Sequence, residues 1–276
     1  MTTGANAHRF QGQVVLVTGA SRGLGRAMAR AFAAEGARVA LVSTSAEGVK
    51  RAAEEISAAG GQALPLEGDV SRETDVRRFV AQAERTLGPV DVLVNNAGIA
   101  GPTAPLPEVS LADWERVLAV NLTGVFLCSR EVLKGMLARR SAGAAASSSG
   151  VILNIGSIAG KISYPQRTPY ASAKWALVGL TLTLAEEVGR YGIRVNCICP
   201  GPVEGELINE VLAARARAMN LPVESVRQKF TDLTMLRRMV KAEHVAATAL
   251  FLASDAAASI TGQSLDVSGG LATLRE

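Results

Sequence analysis

Short, continuous apolar runs alternate with longer stretches of helical periodicity along almost the whole chain. The first run, Val14 to Val17, enters a glycine-rich turn and then a helical pattern. Arg38 to Ser43 repeats the strand signal, and a helix-like stretch follows from Ala46 to Ala59. Then come QALPLEGDV (Gln62 to Val70), a helix near Glu73 to Leu87, and a strand over Val90 to Asn95. A long helix is expected from about Leu111 to Arg140, and low-complexity Ser141 to Gly150 predicts a flexible loop. Val151 to Ser157 is another buried strand, Pro169 to Val188 a helix, and Ile193 to Cys199 a strand ended by Pro200, Gly201 and Pro202. One or two helices over Glu206 to Phe230, a helix near Ala242 to Ala253 and a last strand over Ser264 to Val267 complete the pattern. Such alternation predicts an α/β fold, a doubly wound parallel sheet with helices on both faces and right-handed crossovers. No repeat of fixed period and no linker divides it, so residues 1–276 are expected to form one domain.

Composition sharpens this picture. The 276 residues suit one large α/β domain. They are 48% hydrophobic but only 4% aromatic, so Ala, Val, Leu and Ile must fill the core. Small side chains suit helices laid closely on a parallel sheet. The net charge of +4 and pI of about 9.2 raise the question of an acidic partner. Lys and Arg are scattered among acids, however, without basic runs or interleaved aromatics, so no nucleic-acid partner is expected. Cys128, Cys197 and Cys199 are odd in number and lack metal-ligand or CxxC spacing. They point to reduced structural thiols, no metal and a cytoplasmic setting. MTTGANAHRF has no apolar signal-peptide core, and no run reaches the roughly 18 apolar residues of a membrane span.

Chemistry first enters at Thr18-Gly19-Ala20-Ser21-Arg22-Gly23-Leu24-Gly25, between the first strand and the first helix. Glycine there lets backbone N–H groups approach a pyrophosphate, and the helix starting near Gly23 points its positive end at the same anion. A site that prefers NAD wants an acid about 20 positions further on, to hold the ribose 2′-hydroxyl. Ser43-Thr44-Ser45 stands there instead. Hydroxyls accept a 2′-phosphate that a carboxylate would repel, and Arg22 is placed to pair with it, unless it only caps a surface turn. NADP(H) is therefore the favoured cofactor, with NAD(H) the other option.

Tyr170 and Lys174 are four residues apart on a predicted helix and so share one face. A phenol of pKa about 10 exchanges protons slowly near neutrality, and a neighbouring ammonium lowers that value. A shift of about three units would need roughly 4 kcal/mol. Ser157 ends the fifth strand, where strand termini line the ligand crevice of a doubly wound sheet. A hydroxyl there can hold a substrate oxygen while Tyr170 protonates it.

With these residues in order, the chain resembles the short-chain dehydrogenase/reductase family from about Gln13 to Gly270. The matching pieces are Thr18 to Gly25, Asp69-Val70, Asn95-Asn96-Ala97-Gly98, Asn121, Ser157, Tyr170, Lys174, Pro200-Gly201 and Gly262 to Gly270. The resemblance implies a Rossmann fold and a catalytic set of Asn121, Ser157, Tyr170 and Lys174. Tyr170 would be the general acid/base, and Ser157 would orient the carbonyl. Lys174 would bind the nicotinamide ribose and depress the pKa of Tyr170. Asn121 would hold a water that continues the proton relay. Asp69, beside Val70, would contact adenine, and Asn96, Ala97 and Gly98 would pass close to the cofactor ribose. Pro200 and Gly201 would border the nicotinamide. Where relatives often carry a Thr for its carboxamide this chain has Gly205, so backbone groups near Val203 would substitute.

The expected reaction is hydride transfer between nicotinamide and a small-molecule carbonyl/alcohol pair. Selectivity should reside in Ile99 to Val109, Ile158 to Thr168 and an insertion over about 202–230. Lys161 fits a solvated loop residue better than an anion contact. The resemblance extends to 3-oxoacyl-carrier-protein reductases, a style shared with sugar, polyol and secondary-alcohol dehydrogenases. It also implies a homotetramer, or else a dimer, built on the two long helices. A catalytically idle NADP(H)-binding regulator on the same fold is the alternative. A nucleotide-sugar epimerase would need a longer chain with a separate substrate domain.

Overall fold

A computed structural model describes residues 9–141 and 150–271. Most of the low-complexity stretch 141–150 lies outside them. Seven parallel strands form one sheet in the order β3-β2-β1-β4-β5-β6-β7. They are β1 (Val14–Thr18), β2 (Arg38–Ser43), β3 (Gln62–Glu67), β4 (Val92–Asn95), β5 (Val151–Ile155), β6 (Arg194–Pro200) and β7 (Ser264–Val267). The doubly wound sheet is thus present, and its strand order reverses between β1 and β4, where a crevice opens at the carboxyl ends. Pro65, which cannot donate to a ladder, lies in β3 on the sheet's edge.

Every residue of β1, β4, β5 and β6 is buried, because both faces are covered. Alternate residues serve opposite layers. Val15 and Val17 pack with Met28 and Phe32 of α1 (Gly23–Ala34), Ile56 of α2 (Ala46–Ala58) and Val245 of α9 (Ala242–Ala253). Val14 and Leu16 pack with Phe79 of α3 (Glu73–Leu87), Met136 of α5 (Gly124–Ser141) and Val188 of α6 (Thr168–Gly189).

The predicted helix over Leu111 to Arg140 is not continuous. α4 (Leu111–Leu118) gives way to a π-helical turn, Ala119–Thr123, before α5 begins. There the Gly124 N–H donates to Ala119, five residues back, and the bulge coincides with Asn121. Apolar periodicity runs straight through this turn, so the sequence pattern conceals it. The insertion after β6 folds as α7 (Glu206–Met219) and α8 (Val223–Asp232), which share a small core of Leu212, Ala216, Val226 and Met239.

Candidate active site

The turn after β1 is built by close packing. A Cβ on Gly19 (φ +66°) would lie 2.8 Å from the Cα of Ala97. One on Gly25 would meet the Gly19 carbonyl at 2.3 Å and the Asn96 amide at 2.4 Å. These two glycines let α1 lie against the loop after β4. Gly23 (φ +54°) instead faces open space. The first turn of α1 carries no side-chain cap and no acidic residue, so its N–H groups and positive dipole end are uncompensated. That donor set fits the pyrophosphate of a dinucleotide.

Thr18 ties the two sides of the crevice together. Its Oγ1 accepts from the N–H groups of Asn96 at 3.0 Å and Ala97 at 3.1 Å. The Asn96 amide returns bonds to the Thr18 and Gly19 carbonyls at 2.9 and 3.1 Å. Asn95 turns inward to Ser129 and Asn154. At the end of β2, the Ser43 hydroxyl meets that of Ser21 at 3.0 Å, and Thr44 is exposed beside it. Arg22 reaches across the crevice to Glu206 on α7 at 2.6 Å, with Glu210 at 3.7 Å. Asp69 accepts from the Ser71 N–H and hydroxyl, while Val70 packs under Gly124.

Ser157 leaves the end of β5 in an extended conformation, and its Oγ accepts from the Ala159 N–H at 3.1 Å. The hydroxyl proton is thereby free to face the Tyr170 phenol from α6. Burial pushes the Tyr170 pKa up, opposed by the Ser157 hydroxyl and by the charge of Arg167. Lys174 stands one turn further along α6, on the same face as the phenol. Its ammonium lies 5.6 Å from the ring centroid and donates to the Ile155 carbonyl at 2.7 Å. Burial pushes Lys174 itself down to about 8.

Asn121 is fully buried, and both polar ends of its amide are engaged by one residue. Its Oδ1 accepts from the Ile99 N–H at 2.8 Å, and its Nδ2 donates to the Ile99 carbonyl at 2.9 Å.

Beyond β6, a Cβ on Gly201 would lie 2.8 Å from the Cα of Ser268. Val203 pairs in parallel with Val240, through bonds from Glu204 N–H to Val240 and from Val240 N–H to Pro202. That alternation leaves the N–H and carbonyl of Val203 itself turned away from Val240 and available to a carboxamide. Gly205 has φ +141°, which side chains rarely adopt, so the departure from Thr goes with the backbone here.

One cavity of about 300 Å³ joins these groups. Gly23, Leu24 and Asn96 border it on one side, and Ser157, Tyr170 and Lys174 on the other. A larger depression of about 1030 Å³ lies at the opposite edge of the sheet, beside Gly12, Arg38 and Gln62. It is remote from the strands' carboxyl ends. Among the described residues no group of His, Cys, Asp and Glu is arranged to hold a metal, and no helix is long and apolar enough to cross a membrane.

The short chain dehydrogenase family profile matches residues 13–216. The chain belongs to this family. It is 40% identical over 261 residues to an uncharacterized oxidoreductase of Thermotoga maritima, covering 95% of this chain and 98% of that one. It is 39% identical to a 3-oxoacyl-[acyl-carrier-protein] reductase of Synechocystis, covering 94% of this chain and 96% of the relative. A crystal structure of an actinorhodin polyketide ketoreductase with NADPH superposes with a TM-score of 0.89 at 36% identity, covering 94% and 97% of the two chains. The chain is thus an oxidoreductase of the short-chain dehydrogenase family, on its Rossmann fold.

Four residues of this site were not singled out from sequence. The Thr18 hydroxyl has no motif of its own outside the glycine turn. Tyr164 and Arg215 reach the cavity from separate segments. Arg167 caps α6 three residues before Tyr170, a helical spacing that places it on the tyrosine's face.

Proposed function

We propose that the chain interconverts a ketone and a secondary alcohol, with NADP(H) as preferred cofactor and Tyr170 as general acid/base. What carries this reading is the meeting of Ser157, Tyr170 and Lys174 on one wall of a cavity whose other wall is the uncapped start of α1. Gly23, Ser21, Arg22 and the loop from Asn96 to Gly98 would hold the cofactor, which would supply or receive the hydride. In reduction, the Ser157 hydroxyl and the phenol of Tyr170 bind the substrate oxygen. As negative charge grows on that oxygen, Tyr170 gives up its proton and Ser157 holds the alkoxide until it is protonated. Lys174 stabilises the resulting phenolate through its positive charge and receives the ribose hydroxyls. In oxidation the same phenolate takes the alcohol proton, so oxidation should accelerate with rising pH.

The preference for NADP(H) rests on the hydroxyl pair of Ser21 and Ser43 where an acid would exclude a 2′-phosphate, and on Arg22 beside it. The whole chain serves as one catalytic unit, with residues 202–230 covering the substrate. Assembly as a homotetramer, with a dimer as the simpler form, is supported by exposed Trp175 and Leu182, two turns apart on α6, and by Phe126 on α5. A cytoplasmic location accords with three free, buried cysteines. Similarity to the Synechocystis reductase makes a 3-oxoacyl thioester the first neutral candidate substrate.

NADPH oxidation across a panel of 3-oxoacyl thioesters, keto acids, keto sugars and simple ketones tests the reading, with NADH alongside. Tyr170→Phe should lower turnover about 10³-fold. Tight NADPH binding with no turnover in either direction would favour the idle regulator instead.

A further inference from the structure

The cavity above Tyr170 is mostly aliphatic, with Ile99, Ile162 and Leu207 among its walls, yet it contains two arginines that no carboxylate neutralises among the described residues. Arg167 is only 2% exposed. Its terminal nitrogens donate to the Ala100 carbonyl at 2.6 Å and the Thr103 hydroxyl at 3.0 Å, while its buried Nε has no partner among the described residues. Its guanidinium carbon lies 5.5 Å from the centroid of the Tyr170 ring. Arg215, from α7, lies between the rings of Tyr164 and Phe230, at 4.5 and 5.3 Å. Its buried Nε is likewise unpartnered among the described residues, while a terminal nitrogen donates to the Pro165 carbonyl at 3.4 Å and the side chain also bonds the Tyr164 hydroxyl. The two guanidinium groups are close enough to repel each other.

A structural arginine in this fold looks different. Arg194, also buried, directs its terminal nitrogens at the carbonyls of Leu252, Ile260, Ala253 and Ser254. Lys161, the cation nearest to hand in the sequence, is occupied by Asp266 at 2.6 Å and by the Ser264 carbonyl. The acids at the cavity mouth, Glu204 and Glu206, are exposed, and Glu206 is held by Arg22. Arg167 and Arg215 therefore place two uncompensated guanidinium charges beside the reacting phenol, each with N–H groups still to spare, which suits a carboxylate.

We propose that the substrate is a small ketone, or the matching alcohol, that carries a carboxylate received by Arg167 and Arg215 while its oxygen meets Ser157 and Tyr170. This rests on the hydride-transfer reading of the same site and names its substrate class. The cavity of about 300 Å³ suits a short aliphatic oxo acid.

Two measurements on the full chain test this. Pentanoate, which cannot be reduced, should bind at least tenfold more tightly than pentanamide by calorimetry, and Arg167→Met and Arg215→Met should each remove that difference. In NADPH turnover, 4-oxopentanoate should exceed its methyl ester at least 30-fold in kcat/KM, with the ratio falling toward one in either variant. The Arg215 variant leaves the backbone contacts of Arg167 intact, so it remains informative if Arg167→Met fails to fold. Pentanoate binding no tighter than the amide, or an ester turned over as well as the acid, would overturn the proposal. Selective pentanoate binding without turnover of either ketone would uphold the anion site and overturn the hydride-transfer reading beneath it.

Discussion

The ammonium of Lys174 donates to the Ile155 carbonyl at 2.7 Å while lying 5.6 Å from the centre of the Tyr170 ring. The strand that leads to Ser157 thus also anchors the cation of the neighbouring helix. Holding a buried ammonium costs stability, and burial lowers the Lys174 pKa from 10.5 to about 8. Below pH 8 the native state bears the full cost, about 3 kcal/mol. Between pH 8 and 10.5 the unfolded chain keeps the proton that the native state has released, so native stability rises with pH. Lys174→Met should lower kcat at least 100-fold yet raise the melting temperature at pH 7 by about 5 °C, after about 1 kcal/mol for the lost hydrogen bond. Melting curves from pH 7 to 10 should show that advantage shrinking as pH rises. A variant destabilised equally at every pH would contradict this account.

Asn121 holds the Ile99 backbone through both ends of its amide. Asn121→Ala leaves two part-buried backbone groups without their partner and should cost about 1–2 kcal/mol in urea unfolding. Asn121→Asp keeps the acceptor for the Ile99 N–H but sets a carboxylate against the Ile99 carbonyl, so it should be no better. Ile99 lines the cavity, so KM for the substrate should rise in both variants.

Ser43 meets Ser21 where a ribose-binding acid would otherwise stand. Ser43→Asp should shift the ratio of NADPH to NADH efficiency at least tenfold toward NADH. Steady-state kinetics with both cofactors would read this directly, and a wild-type enzyme already preferring NADH would refute the NADP(H) assignment.

Glu206 holds the Arg22 guanidinium that would otherwise be free for a ribose 2′-phosphate. Both side chains are exposed, so the pair is weak and screened by salt. Glu206→Gln should tighten NADP⁺ about threefold at low ionic strength, with no change for NAD⁺ and a diminishing effect as salt is added. Fluorescence titrations at two salt concentrations would check it.

The amino-acid sequence by itself determined the sheet and the pairing of Tyr170 with Lys174 on one helix face. Apolar runs such as Val14–Val17 and Val151–Ile155 are local signals, because a strand buried on both faces needs no distant information to be apolar. Tyr170 and Lys174 share a face through helical spacing alone. Tertiary structure decided what depends on contacts between distant segments. The widened turn at Asn121 answers to Ile99, on a separate loop, and apolar periodicity does not register it. Arg22 finds its carboxylate 184 residues away on α7. Lys174 is bonded to Ile155, and Arg167 stands 5.5 Å from the centre of the Tyr170 ring. Whether a lysine or arginine is neutralised, solvated or left bare in a cavity depends on which chains fold over it, and no spacing in the sequence encodes that.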